Sequence, residues 1–295
     1  MQKEIYDINQ DKKEIAKLLQ KYITCIFQEY KEIIPIDVRK MLENISNFED
    51  IIHIENTGTI SLFVYNNQVF LPNDAYKVLK SMAKIPGFGL NKNHQTHNSS
   101  NMIINDNTYL TFVKHVFLKG LSPVEYFKEI LLHETMHLCG SSGAYALYEG
   151  FNELKTREIA LKYHFETSCC GYPKETKIAY ELQQLFGKEI CDKLTFASNI
   201  PDRLKLLEIE IGYDAVLLYS QVLKEMQLQF EPYMSKKYPG MLGIKNKCSE
   251  YAKINYSKVY ELIKQYQIKY STRSLEDEAK LSNESQSKKW NYFLF

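Results

Sequence analysis

A chain of 295 residues with 44% hydrophobic and 25% charged side chains is long enough to bury a core and has the composition of a folded globular protein. Its 37 basic and 36 acidic groups leave a net charge of +1, which excludes a bulk field that would draw in nucleic acid or an anionic membrane, so neither is expected as a partner. No apolar run approaches the ~18 residues of a membrane span, and the charged start Met1–Asp7 has no apolar segment behind it. The expected location is therefore cytoplasmic, although export without a cleavable signal would leave the same sequence. The six cysteines are scattered without a C-x-x-C and read as reduced, buried thiols, the adjacent Cys169 and Cys170 included.

In chain order, Lys12 to Glu32 has helical periodicity, with Ile15, Leu18, Leu19, Tyr22 and Ile23 on one side. Pro35 interrupts it, and Ile36 to Ile45 suits a short helix. Ile60–Val64, the turn Asn66-Asn67 and Val69–Leu71 read as a β-hairpin; Met102–Ile104 and Tyr109–Val113 read as a second. Between them, 86–101 is a polar loop rich in Gly, Asn, His and Ser. Ser122-Pro123 opens a helix that runs to about Leu138 and stops near Gly140. After the break Ser141-Ser142-Gly143, helices are expected over 144–164, 173–186, 188–196, 202–230 and 245–270. The stretch 271–289 is polar, and the final Trp290–Phe295 is apolar enough to dock back. The fold class is α+β but predominantly helical. An N-terminal α+β part (1–118) with two hairpins precedes metal-site helices (119–200), and a helical C-terminal part with a polar tail follows (201–295).

The chemistry concentrates in His133-Glu134-Thr135-Met136-His137. Four-residue spacing on a helix puts both imidazoles on one face, within reach of one ion, and sets Glu134 to the side. Zn²⁺ suits such a site: it takes neutral nitrogen and carboxylate ligands and, in catalytic centres, keeps a position for water. The ion acidifies that water and a neighbouring carboxylate, here Glu134, takes its proton. An H-E-x-x-H string arises by chance in roughly one unrelated chain per hundred, and on a surface helix it would be incidental. Here Phe127, Ile130, Leu131, Met136 and Leu138 surround it, and buried His and Glu are costly without partners.

Two imidazoles need a third ligand. The next helix carries Glu149-Gly150-Phe151-Asn152-Glu153, with both acids on one face. Gly150 in a helix interior costs about 1 kcal/mol relative to Ala, which suggests close backbone contact with the metal-bearing helix. Glu149 is the expected metal ligand. Glu153, one turn on, either orients a ligand histidine through its free ring nitrogen or is the rival ligand; an ordinary alternative is a surface pair with Arg157.

The two segments together resemble the gluzincin group of zincin metallopeptidases, and also uncharacterised bacterial proteins that pair H-E-x-x-H with E-G-x-x-E. The resemblance covers about residues 100–165, and the interval from His137 to Glu149 is shorter than in well-known members. It implies a zincin-like core, a small mixed sheet before the metal-site helix, Glu134 as general base, Glu149 as ligand and Glu153 behind it. It also implies a tyrosine or histidine opposite the metal; Tyr172 and His164 are the nearest downstream, although a structural role suits either.

Other readings are poorer. His94 and His97 form an H-x-x-H, but a polar flap suits that loop better than a second metal site. A di-iron bundle needs a second E-x-x-H, which is missing, and a deformylase needs an upstream cysteine near the motif. The expected function is zinc-dependent hydrolysis of a peptide or protein substrate. The competing class is a catalytically inactive helical module that keeps the core for binding or regulation.

Overall fold

A computed structural model describes residues 8–55, 63–65, 68–72, 123–140, 145–165, 172–235 and 250–270, and within them the chain is predominantly helical. The expected second hairpin, the loop bearing His94 and His97, and the tail 271–295 lie outside the described residues. No helix among the described residues is long and apolar enough to cross a membrane.

Helix α1 (Ile8–Tyr30) buries Ile15, Leu19, Tyr22, Ile23, Ile26 and Tyr30, a stripe at three- and four-residue spacing. Each such large apolar side chain stabilises by about 1.5–3 kcal/mol. Pro35 precedes α2 (Ile36–Glu43), and a 3-10 turn (Phe48–Ile51) leads into β1 (Ile52–Glu55). Strands β2 (Phe63–Tyr65) and β3 (Gln68–Pro72) pair antiparallel, Tyr65 opposite Gln68, the strand pairing expected for the first hairpin; its turn at 66–67 lies outside the described residues. The sheet order is β1-β3-β2, and β1 runs parallel to β3, Ile52 opposite Val69, a pairing that the sequence pattern did not reveal. Strand β2 packs along the next described helix, α3 (Pro123–Cys139).

The remaining described elements are helical: α4 (Ala146–Lys162), α5 (Pro173–Phe186), α6 (Lys188–Phe196), α7 (Ile200–Glu210) and α8 (Tyr213–Ser235). A short turn at 250–253 and α9 (257–270) complete them. Two expectations need correction. The helix expected over 202–230 is broken: Gly212 takes φ 120°, its N–H and that of Ile211 both bond the Leu207 carbonyl at 2.9 Å, and the chain restarts at Tyr213. Apolar periodicity continues on both sides of the break, which hid it. The helix expected over 245–270 is likewise interrupted at 254–256.

Two hydrophobic cores result. The first joins α1 and α2 to Leu131, Leu132, Met136 and Leu138 of α3, with Phe196 of α6 and Ile159 and Ala160 at the far end of α4. The second runs from Ala146, Leu147 and Phe151 of α4 through α5 to α8 and on to Tyr266. Helix α4 contributes to both. Cys25, Cys139 and Cys191 are free, buried thiols, with burial holding each above its ordinary titration range.

Candidate metal centre

Helix α3 turns Leu131, Leu132, Met136 and Leu138 into the first core, which leaves His133 and His137, both buried, on the side facing α4. Its Thr135 hydroxyl is satisfied locally by the Leu131 carbonyl at 2.6 Å. On α4, the Tyr145 carbonyl accepts from the N–H groups of Tyr148 and Glu149, so Glu149 sits in the first turn, where the helix dipole favours a carboxylate.

The two helices bring three donors together. Glu149 Oε2 lies 3.3 Å from His133 Nε2 and 3.2 Å from His137 Nε2. One ligand atom from each of His133, His137 and Glu149 falls within 4.8 Å of the others, so the group can hold a metal ion. The imidazoles meet edge to face, centroids 4.9 Å apart. Glu153 stands apart from this convergence: its Oε2 lies 2.8 Å from His133 Nδ1, and its Oε1 accepts from Arg157 Nε at 3.4 Å. Geometry thus separates the two acids left open by the sequence. Glu149 faces both Nε2 atoms; Glu153 faces only the rear nitrogen of His133, and does so while also making the pair with Arg157. Glu134 is half-buried, and its charge reaches both His133 and Tyr172.

The electrostatics follow from crowded carboxylates. Burial pushes His133 toward its neutral form, but the Glu149 and Glu153 carboxylates outweigh it and hold the imidazole well above its ordinary 6.5. Burial pushes Glu149 up, but His137 and His133 together pull it down to about 2. Glu149 is therefore ionised across the physiological range, while His133 holds its proton in the absence of a competing cation.

Two neighbours were not singled out by the sequence. Asn152 Nδ2 donates to the His133 carbonyl at 3.0 Å, tying α4 to α3 directly beneath the histidine. Phe230 of α8 packs on Tyr172. Tyr172 itself lies in the site, its ring centroid 5.8 Å from that of His133. The Glu149 charge, then burial, then Glu134 hold its hydroxyl well above the ordinary phenol range. His164 is exposed with φ 55° beyond the opposite end of α4, roughly 20 Å along the helix from Glu149 at 1.5 Å per residue, and takes no part.

The reason given for Gly150 needs correction. A backbone does approach it closely, but not that of α3. A Cβ at Gly150 would lie 2.4 Å from the Glu175 carbonyl oxygen, in the first turn of α5. The missing side chain admits the helix that follows Tyr172.

Comparison with protein-family models, curated proteins and solved structures finds no match to this chain. Its reading rests on the site.

Proposed function

We propose that the chain is a zinc-dependent metallopeptidase of gluzincin type, with His133, His137 and Glu149 as the metal ligands. The observation that carries this reading is the convergence of His133 Nε2, His137 Nε2 and one Glu149 oxygen within 4.8 Å, at the H-E-x-x-H string. The donor set fits: two imidazoles and one carboxylate are the first shell of a catalytic zinc that retains an open position. Zinc bound there supplies an acidified water and polarises the scissile carbonyl.

The remaining work belongs to side chains of this chain. Glu134, beside the ligands and not among them, takes the proton of the attacking water and delivers it to the leaving amine. Glu153 accepts from Nδ1–H of His133, which fixes the tautomer that presents Nε2 to the ion. Among the described residues β2 is an outer strand and packs beside α3, which supports an extended peptide as substrate, paired through its main chain.

The test has two arms. The purified protein should hold about one zinc per chain, and His133→Ala should lose it. Glu134→Gln should keep the zinc and lose about 10²–10⁴ of turnover on an unstructured protein substrate. A chain that never retains a transition metal would end the reading; one that binds zinc but is indifferent to Glu134→Gln would be a binding module.

A further inference from the structure

Tyr172 immediately precedes α5, so its place against His133 is set by how the first turn of α5 is held. Its own carbonyl accepts from the Thr176 N–H at 2.8 Å and the Thr176 hydroxyl at 2.7 Å, which locks Tyr172 to that turn. On one side the turn presses on Gly150. On the other it meets the chain segment 250–256, far along the sequence.

That second contact is polar and specific. Glu175 is fully buried, and its carboxylate accepts from the Tyr256 hydroxyl at 2.6 Å and the Tyr251 hydroxyl at 2.5 Å. Next to it, Lys174 Nζ donates to the carbonyls of Tyr251, Ala252 and Ile254 at 2.9, 3.0 and 2.6 Å, the groups left over where the short turn at 250–253 ends. Rings continue the link: Tyr251 packs on Tyr233, Tyr233 on Phe230, Phe230 on Tyr172 and Tyr172 on His133, with successive centroids 5.4, 5.5, 6.1 and 5.8 Å apart. Apolar packing alone would bury such a segment without the desolvation cost of a carboxylate and an ammonium. Two directed hydrogen bonds to Glu175 fix the orientation of the turn, which apolar contact does not.

We infer that segment 250–256 positions the wall of the metal centre: Tyr251 and Tyr256, acting through Glu175, hold the Tyr172 ring against His133. The inference takes its functional meaning from the metal-centre reading, but it can be tested without metal or substrate. In the full-length, metal-free chain, the ring C–H signals of His133 in a ¹H–¹³C spectrum report the Tyr172 ring current. Tyr172→Leu gives the position of those signals with the ring removed. Tyr251→Phe and Tyr256→Phe, made singly so that Glu175 keeps one hydroxyl, should each move the His133 signals toward that position and leave those of His164 unmoved. The same substitutions in a Tyr172→Leu background should then move His133 no further. If either phenylalanine variant fails to fold, Glu175→Gln, which keeps the side-chain shape, carries the test with the same expected shift. His133 signals at their original position in the folded variants would overturn the inference, as would an equal displacement persisting without Tyr172. A wild-type protein that binds no zinc would sink the proposed function and leave this result standing.

Discussion

Helix α4 carries two polar clusters, one around Glu149 and Glu153 and one around Lys155 and Glu158, and they are built on opposite principles. At its far end Lys155, fully buried, donates to Glu158 at 3.0 Å and Gln183 at 2.6 Å and pairs with Asp192. Lys188 closes the group from α6, reaching Glu158 at 2.5 Å and Asp192 at 3.1 Å, while the Tyr30 hydroxyl donates to Glu158. Two ammoniums face two carboxylates, and the cluster is complete as it stands. At the near end Glu149 and Glu153, with Glu134 close by, face two imidazoles and one half-exposed arginine. Carboxylates outnumber fixed cations there, and the donors converge on one point. A balanced cluster ties helices together, whereas an acceptor-rich one can hold a guest cation.

The largest expected effect falls on the balanced cluster. Lys155→Met removes one partner of a buried pair and should cost about 3–5 kcal/mol in urea unfolding while leaving the zinc content of the folded fraction unchanged. Zinc lost in step with stability would show that the two clusters are one unit. Next, Glu153→Gln should weaken zinc about 10- to 100-fold in competition with a chelating dye, with the unfolding midpoint of the metal-free protein moving far less than for Lys155→Met. Unaltered affinity would remove Glu153 from the site's chemistry.

The clusters should also respond to pH in opposite senses. Glu158 is held below its ordinary 4.5, with Lys155 and Lys188 outweighing its burial, so its contribution to stability is present above that value and lost as pH falls through the folded one. His133 is held above 6.5, so in metal-free protein its pairing is fully present below 6.5 and lost as pH rises through the raised value. Zinc must displace that proton, so affinity should climb about tenfold per pH unit over the range in which His133 is protonated, then level off. A pH-independent zinc affinity would contradict this account. The smallest effect is Arg157→Ala: its side chain is 39% exposed, and thermal melts should register less than about 1 kcal/mol.

Much of the candidate metal centre was legible because it is local. His133 and His137 share a face by helical spacing alone, and Glu149 and Glu153 do so on the next helix. What separated the two acids was the docking angle between α3 and α4, which no spacing within either helix contains. The same limit explains Gly150, whose anomaly was visible but whose partner, Glu175, comes from a third element. Nothing in the sequence singled out Lys155, whose partners Gln183 and Asp192 lie on α5 and α6. The parallel pairing of β1 with β3 escaped for this reason too, while the antiparallel pairing of β2 with β3 did not.

The place of α1 has a consequence in time. Tyr30 packs its ring 5.0 Å from that of Phe196, and Glu29 binds Lys162 at 2.6 Å, so α1 is completed by helices made after it. At roughly 5–20 residues per second, a ribosome needs on the order of 10–30 s to travel from Tyr30 to Phe196. Throughout that interval the apolar stripe of Leu19, Tyr22 and Ile26 lacks part of its final cover. Slowing elongation between 30 and 196 should therefore lengthen the exposure of this stripe to aggregation in proportion.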